Sequence, residues 1–400
     1  MKQTYDSKLQ ELRDSTKAYS LVRRNQFNKK AKKDYFGAAP NVFIGHYGYP
    51  KVNVGFLSNE ILPKNIDNPH EWSKQNYQIP KLLDLRSELI NSRFKSQIKS
   101  FDDKFLELTQ EVSQSIKPTD VEVNLEKKPS FNINIEKDVT PYGPAVDLKK
   151  AVITQNPKIP IHVDKVVSDD ELKSVDALSY LHKKGYDEHF LTKLISVGNL
   201  GLKDNRKLVP TRWSITAVDD TLGKKLTKEV KNYNEYDFVA HFGGYLGNYY
   251  LILFFPEIWS YELFETYVGD PTKSNRKIET ETDYETYTGR STYATNTVGG
   301  YYASRLGILE YLKNKKRQSS VLTLRFITNE YYMAMGVWVV RQATRHALTN
   351  NPIKFSSKEL MMKYAKNLLN KKFNFNLHDL TNKSKMIKYM NTQKKISNFL

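Results

Sequence analysis

Residues 236–267 read YDFVAHFGGYLGNYYLILFFPEIWSYELFETY and give the strongest strand signal in the chain. Aromatic and β-branched residues favour strands, and these runs are too apolar to lie on an exposed face. They therefore predict the centre of a sheet, which residues 320–328 would extend by one strand. Loop lengths and aromatic content favour an α+β fold over a doubly wound parallel sheet. The expected sheet is mixed, mainly antiparallel and flanked by helices.

Helical patterns lie on both sides of these strands. Leucines at core spacing predict a helix within residues 81–115. The apolar stripe that begins after Gly299 predicts a helix to about residue 316. Residues 336–348 predict another, and a last helix capped by Ser356 would end near residue 369.

Residues 168–198 predict two short helices joined by a glycine turn. Ser168 and Glu171 form a capping box that would open the first helix, and the second would occupy residues 187–197. This arrangement resembles a helix-turn-helix, but Lys193 is the second helix's only basic residue. A structural helical hairpin is therefore favoured, with reading of the DNA major groove as the alternative.

Residues 34–55 predict a pair of strands around an irregular turn. The glycines of this turn would let the backbone come close to a ligand. His46, Tyr47, Tyr49 and Lys51 could then line a binding cleft, while packing of the hairpin by aromatic rings is the favoured alternative.

Composition limits the possible classes of protein. The chain has 400 residues and 39% hydrophobic content, which fits a globular protein with a sizeable core. It contains no cysteine, so disulfides, iron–sulfur clusters and Cys-ligated zinc are excluded. No stretch approaches the length of a membrane span. We therefore expect a cytoplasmic protein with no membrane partner.

The net charge of +18 is concentrated at the two ends of the chain. Residues 1–34 hold ten Lys and Arg against four Asp and Glu, and residues 351–400 hold eleven against two. We expect flexible basic segments that contact DNA phosphates, although a solubilising lysine bias is the alternative. The candidate phosphate-binding residues are Arg23, Arg24, Lys29, Lys30, Arg206, Lys207, Arg212, Arg305, Arg341 and Arg345.

Residues 210–220 read PTRWSITAVDD and suggest a strand that ends in two carboxylates. Asp219 and Asp220 at a strand end could bind a divalent cation, although adjacent Asp residues also cap helices. These two residues and His46 are the catalytic candidates. An enzymatic alternative would use a phosphate or metal cleft built from a larger set: His46, Tyr47, Tyr49, Arg212, Asp219, Asp220, Arg305 and Arg341.

The last eight residues, QKKISNFL at 393–400, have the spacing of a short apolar plug. In one turn of 3₁₀ helix, Ile396 and Phe399 project from the same side, with Leu400 beside them and Gln393 at the head. These four residues resemble the peptide by which replication and repair proteins bind the sliding clamp PCNA. The alternative is a frayed tail, or a last turn that folds back on the body.

Four blocks resemble the archaeal Nre DNA-repair family. They are residues 36–55, 206–220, 299–306 and 336–341. The resemblance implies repair of DNA damage through the clamp, without a defined catalytic mechanism. Family members often begin with a Cys-rich zinc motif, whereas this chain has only Lys and Arg there, so no zinc is expected. A non-enzymatic adaptor at the clamp remains a further alternative.

The resemblance also suggests a domain organisation. We expect a basic arm at residues 1–33, an Nre N-terminal-type region at 34–270 and an Nre C-terminal-type region at 285–369, packed on the same sheet. The polar residues 268–288 would form the surface loop between them. Residues 370–400 would be a flexible tail that ends in the clamp-binding peptide.

Overall fold

The computed structural model describes residues 21–100, 103–270 and 278–392. They form two compact units. The N-terminal unit contains the described residues up to Leu222, together with Met333–Trp338. The C-terminal unit contains the described residues of Gly223–Tyr332 and those from Val339 onward. The clamp-like peptide at 393–400 lies outside the described residues.

Five strands of the N-terminal unit form a closed barrel in the order β1-β2-β3-β5-β4. Neighbouring strands are antiparallel except for β3 and β5, which are parallel. The first strand is long enough to pair with β2 through its second half and with β4 through its first half. The strands are β1 (Asp34–Ile44), β2 (Lys51–Asn59), β3 (Ile90–Gln97), β4 (Thr119–Leu125) and β5 (Ala145–Ile153).

Alternating side chains fill the barrel interior. In β4, Val121, Val123 and Leu125 are buried in one core cluster, and the residues between them are more exposed. Val54 and Phe56 of β2 enter the same cluster. A period of two therefore places one face of each strand in the core, and burying such a side chain contributes about 1.5–3 kcal/mol.

Eight helices are described in or at the end of the N-terminal unit. Asp103 and Asp187 cap two of them by accepting hydrogen bonds from backbone N–H groups of the first turn. The helices are α1 (21–30), α2 (Pro69–Lys74), α3 (Ile79–Ser87), α4 (Lys104–Gln114), α5 (Ile161–Ser168), α6 (Ser174–Lys183), α7 (Glu188–Ser196) and α8 (Thr211–Val230).

The C-terminal unit is built on a six-stranded sheet in the order β11-β6-β7-β10-β8-β9. Its pairs are antiparallel except for β10 with β8. The strands are β6 (Phe238–Tyr245), β7 (Asn248–Phe255), β8 (Ser260–Gly269), β9 (Glu279–Glu285), β10 (Ser320–Thr328) and β11 (Ile353–Phe355). The helices are α9 (Gly300–Lys315), α10 (Trp338–Thr349), α11 (Lys358–Phe373), α12 (His378–Thr381) and α13 (Lys385–Thr392).

The predicted sheet centre is confirmed, because residues 236–267 supply β6, β7 and β8, and residues 320–328 form β10. The α+β class with mainly antiparallel pairing is confirmed as well. The expected division into domains stays a prediction. Within the segment 268–288, predicted as a surface loop, residues 279–285 instead form the edge strand β9.

Three local predictions were wrong. The helix predicted within residues 81–115 is interrupted by β3, whose polar sequence INSRFKSQ becomes a strand by pairing with β2 and β5. The capping box at Ser168 opens no helix, since α5 ends there and α6 begins at Ser174. In the segment 210–220, residues 211–220 form the first half of α8 and not a strand.

The structure also differs from the expected tether after residue 369. Helix α11 continues to Phe373, and the following described residues pack on the C-terminal sheet. Glu262 of β8 accepts hydrogen bonds from the backbone N–H groups of Lys385 and Met386. The buried apolar side chains in this stretch are Phe373, Phe375, Leu377, Leu380, Met386 and Ile387.

Candidate functional site

The connection between β1 and β2 presents aromatic rings to solvent. We call residues 45–50 the aromatic loop. Its backbone is closed by a hydrogen bond from Lys51 N to the carbonyl of Gly48, whose φ of +82° favours glycine. Tyr47 is 75% exposed and Tyr49 is 43% exposed. The alternative in which these aromatic residues pack the hairpin therefore does not hold for the two tyrosines.

His46 and Arg212 meet beside the aromatic loop. The Nη1 atom of Arg212 lies 3.4 Å from Nε2 of His46, and Nη2 donates to Oδ2 of Asp138 at 2.6 Å. On the other side of the ring, His46 Nδ1 lies 3.6 Å from Oε2 of Glu136. Both carboxylates belong to the connection between β4 and β5. The hydrogen bond to Asp138 orients the guanidinium, and Glu136 lies beside the imidazole.

Trp213 extends this cluster. Its ring is 46% exposed and meets Tyr49 edge-on, with ring centroids 5.4 Å apart. The ring of His46 lies 3.9 Å from that of Tyr47, centroid to centroid. The structure thus brings together four residues that the sequence placed in one possible cleft: His46, Tyr47, Tyr49 and Arg212. Trp213, which sequence reasoning did not single out, joins them.

The carboxylates proposed for a cation do not lie at a strand end. Asp219 and Asp220 are consecutive residues in the middle of α8, and Asp219 is buried. Consecutive residues of a helix point about 100° apart, so the two carboxylates diverge from one another. Within residues 21–100, 103–270 and 278–392, no group of three or more His, Asp or Glu side chains is placed to hold a metal ion.

Three of the arginines proposed for phosphate belong to the C-terminal unit. Arg305 is buried and donates to Oε2 of Glu285 at 2.7 Å. Arg345 makes a two-pronged ion pair with Glu310, and Arg341 is buried. These surroundings give Arg305 and Arg345 structural partners.

The remaining basic candidates lie in the N-terminal unit. On α1, Arg24, Lys29 and Lys30 are exposed, as is Lys207. Arg23 is partly buried and pairs with Glu88 at 2.6 Å and with Asp84. Arg206 donates to the carbonyls of Gly201 and Asp169, so it holds a turn together.

A second polar cluster, around Asp67, was not predicted from the sequence. Asp67 accepts hydrogen bonds from Arg86 at 2.5 Å, from His189 at 2.9 Å and from Asn41 at 2.5 Å. Burial acts to raise the pKa of Asp67, but the charges of His189 and Arg86 outweigh it and hold this pKa well below its usual value. His189 and Asp67 are 122 residues apart, so no local pattern could have linked them. The helix predicted at 187–197 places His189 near a helix start but gives no partner for it.

This cluster forms part of the wall of a cavity of about 520 Å³. Helix α7 contributes His189, Phe190 and Lys193 to the lining. Nearly all of α7 is buried, including its only lysine, so it does not offer a face for a DNA groove. The favoured interpretation of α6 and α7 as a structural hairpin agrees with this burial.

The Lys193 ammonium gives a pH-dependent prediction. Burial lowers its pKa to about 8, against partial compensation from Asp67 and Asp187. Between pH 8 and its ordinary pKa of about 10.4, the unfolded chain binds more protons than the folded one, so stability rises with pH. Below pH 8 both states carry the ammonium, so the free-energy cost of burying its charge does not change with pH. Lys193→Met removes the buried charge but also removes two hydrogen bonds to backbone carbonyls, which offset part of the gain. We therefore expect this variant to be more stable than the wild type by about 1–2 kcal/mol at pH 7.

Urea unfolding at pH 7 and pH 10 measures this effect. The gain should shrink at pH 10, where the folded wild type carries a neutral amine. Lys117→Met is the matched control, because Lys117 is exposed on the rim of the same cavity and its replacement should change stability by less than about 0.5 kcal/mol. Equal destabilisation by Lys193→Met at both pH values would contradict the prediction.

Comparison with known proteins identifies the family. Residues 16–272 match the protein-family model described as archaeal Nre, N-terminal, and residues 285–399 match the one described as archaeal Nre, C-terminal. The chain belongs to the archaeal Nre family. No helix in the described part of the chain is both long enough and apolar enough to cross a bilayer.

Three curated relatives are identical to this chain at about a third of the aligned positions. DNA repair protein NreA of Haloferax volcanii is 34% identical over 328 residues, covering 78% of this chain and 77% of the relative. DNA repair protein NreB of Archaeoglobus fulgidus is 36% identical over 346 residues, covering 84% and 85%. NreA of the same organism is 35% identical over 344 residues, covering 84% and 86%. No solved structure matches the chain.

Proposed function

We propose that this protein is a DNA-repair factor that the sliding clamp PCNA recruits to DNA through residues 393–400, and that its basic segments contact the DNA. Family membership carries the proposal. The three relatives above are named as DNA repair proteins. The C-terminal family match runs to residue 399 and so extends into the clamp-like peptide. Such a factor would act in the cytoplasm, on the nucleoid.

The peptide supplies two apolar anchors of the kind that fill a groove on a partner. Ile396 and Phe399 are three residues apart, so a 3₁₀ turn formed on binding would place both on one side, with Leu400 adjacent and Gln393 as a hydrogen-bonding head. Clamp tethering would raise the concentration of the body near DNA to the order of millimolar. Weak phosphate contacts by exposed cations such as Arg24, Lys29 and Lys30 would then suffice.

Calorimetric titration of PCNA with the full chain tests the proposal. We expect the double variant Ile396→Ala and Phe399→Ala to bind roughly 100- to 1000-fold more weakly, because buried anchors cost about 2 kcal/mol each when truncated. Its melting temperature should equal that of the wild type. Lys394→Ala with Ser397→Ala, at two polar positions of the same peptide, is the matched control. Undiminished affinity of the first variant would refute recruitment through this peptide.

The enzymatic alternative around Arg212 and Asp220 has less support. It relied on two carboxylates converging at a strand end, whereas both occupy the middle of α8. His46 and Arg212 do adjoin one another, but the charged groups beside them are the carboxylates of Glu136 and Asp138. The observations therefore favour the clamp-recruited factor.

A further inference from the structure

The barrel of the N-terminal unit has a recognisable plan. A long first strand pairs with both β2 and β4, β3 runs parallel to β5, and helix α4 lies between β3 and β4 in the chain. This is the plan of the OB fold, a five-stranded Greek-key barrel. Barrels of this plan bind oligonucleotides or oligosaccharides on the face of strands 2 and 3 and at the loops that join strands 1–2 and 4–5. Fold alone does not assign a ligand, so the residues on that face decide.

The outer face of β2 and β3 is polar and basic. Val52, Val54 and Phe56 point into the barrel core, so the alternate residues of β2 point outward. The register pairs these outward positions across the two strands, and both members of each pair lie on the same face. The pairs are Lys51 with Gln97, Asn53 with Lys95, and Gly55 with Arg93.

The cations on this face differ in their availability. Arg93 donates to Asp147 at 3.0 Å. Lys51 and Lys95 are exposed, and no carboxylate in the described part of the chain forms an ion pair with either of them. Two exposed ammonium groups on neighbouring strands suit the phosphates of an extended backbone better than a single compact anion.

The aromatic loop continues this face at the start of β2. Ile98, just after β3, donates its N–H to the carbonyl of Pro50 and accepts from the N–H of Leu208. These bonds place the chain before α8 alongside the loop, which explains the contact of Trp213 with Tyr49. Tyr47, Tyr49 and Trp213 therefore form one group of exposed rings beside the basic face.

Exposed rings beside exposed lysines fit one class of ligand. Bases of a single strand are unstacked and can lie on aromatic side chains, while the phosphates follow a basic groove. The bases of a duplex are stacked inside it and cannot reach such rings. The connection between β4 and β5 supports the platform, because its Asp138 accepts from Arg212, whose guanidinium lies against His46.

We propose that the outer face of β2 and β3, together with the aromatic loop and Trp213, binds single-stranded DNA. Bases stack on Tyr47, Tyr49 and Trp213, and Lys51 and Lys95 contact the phosphates. The choice of DNA rests on the proposed function, which it extends by naming the form of DNA that is bound. The site lies wholly within the N-terminal unit and does not involve residues 393–400.

Tryptophan fluorescence of the wild-type protein gives a first test. Of the four tryptophans, Trp72, Trp259 and Trp338 are buried, so Trp213 is the exposed reporter. Titration with a thymidine oligonucleotide of about 12 nucleotides, within the range that one OB barrel covers, should quench this emission. The Trp213→Phe variant should lose most of the quenching. Binding without quenching would overturn the assignment of Trp213 to the site.

Fluorescence anisotropy with the same labelled oligonucleotide gives the second test. Tyr47→Ala, Tyr49→Ala and Trp213→Ala should each weaken binding roughly 5- to 100-fold, as expected when a stacked base is lost. Phe36→Ala is the matched control, because Phe36 is 59% exposed on β1 of the same barrel and lies outside the proposed site. Lys51→Gln and Lys95→Gln should each reduce the slope of log affinity against log salt by about 0.7.

The outcomes separate this inference from the proposed function. If all three aromatic variants bind like Phe36→Ala, the site is wrong, while DNA contact by the basic segments stands. If a duplex binds as tightly as the single strand, or a uridine oligoribonucleotide binds more tightly than the thymidine strand, the assignment to single-stranded DNA is overturned. Loss of clamp binding by the Ile396 and Phe399 variant should leave oligonucleotide binding unchanged.

Discussion

Replacing Asp67 with alanine is expected to destabilise the protein by about 3–5 kcal/mol. Asp67 and Arg86 are both buried and form an ion pair at 2.5 Å. Arg86 also donates to the carbonyl of Pro141, so its guanidinium is held in place. Removal of the carboxylate would leave the arginine charge buried without its counter-charge, and would also remove the acceptor for His189 and Asn41.

Thermal unfolding followed by calorimetry measures this loss. For a unit of about 200 residues, we expect a fall in melting temperature of roughly 6–20 °C. Asp147→Ala is the matched control, because Asp147 pairs with Arg93 at an exposed position of the same unit, and such pairs contribute about 1 kcal/mol or less. The double variant Asp67→Leu with Arg86→Met should recover part of the loss, since no charge stays buried. A shift no larger than that of the control would contradict the buried pair.

The low pKa of Asp67 also predicts how stability responds to acid. Burial alone would raise this pKa, but His189 and Arg86 lower it below the value in the unfolded chain. The unfolded chain therefore binds a proton first as the pH falls below about 4, and the pair's stabilisation is lost there. Asp67→Asn, which does not titrate, should flatten the acid limb of the curve of stability against pH.

The second large effect is expected at Glu285 in the C-terminal unit. Both Glu285 and Arg305 are buried, and the carboxylate accepts from Arg305 at 2.7 Å and from Trp259 Nε1 at 3.0 Å. The guanidinium also lies over the rings of Tyr301 and Tyr302, with its central carbon 5.6 and 5.4 Å from their centroids. Glu285→Ala removes the carboxylate that accepts from Arg305 and leaves the indole N–H without its acceptor, so we expect a loss of about 3–5 kcal/mol.

Calorimetry again provides the measurement, with Glu229→Ala as the matched control. Glu229 pairs with Lys313 at the surface of the same unit, so its removal should cost about 1 kcal/mol or less. Trp259 fluorescence is a second readout, because loss of its hydrogen-bond acceptor changes the surroundings of a buried indole. If Glu285→Ala and Glu229→Ala unfold at the same temperature, the buried pair does not stabilise the unit.

Buried ion pairs also determine which basic residues are available to contact a ligand. Arg305 and Arg86 serve the interior, although arginine in a basic chain suggests phosphate contact. The sequence placed Lys51 in a possible cleft with the loop aromatics, but nothing local distinguishes Lys95 from other surface lysines. The barrel places them on one face, and this placement gives them a role.

Several features followed from the sequence alone. Residues 236–267 and 320–328 are apolar over lengths typical of buried strands, so their local composition determined the sheet centre. The glycine before α9 and the spacing of its leucines fixed that helix closely. The clamp-like peptide and the family resemblance likewise depend only on the order of residues, and the family models bear out the latter.

Other features were decided by contacts between distant residues. β3 is polar and becomes a strand only because β2 and β5 supply its hydrogen-bonding partners. The β-branched residues near the start of α8 suggested a strand, but the segment folds as a helix whose buried residues include Val218 and Leu222. Local patterns report propensity and period, whereas pairing, burial and ion pairs depend on what the rest of the chain places nearby. The order of residues thus determined which segments could form a core. Only the tertiary structure decided which aromatic rings and charged side chains remained at the surface.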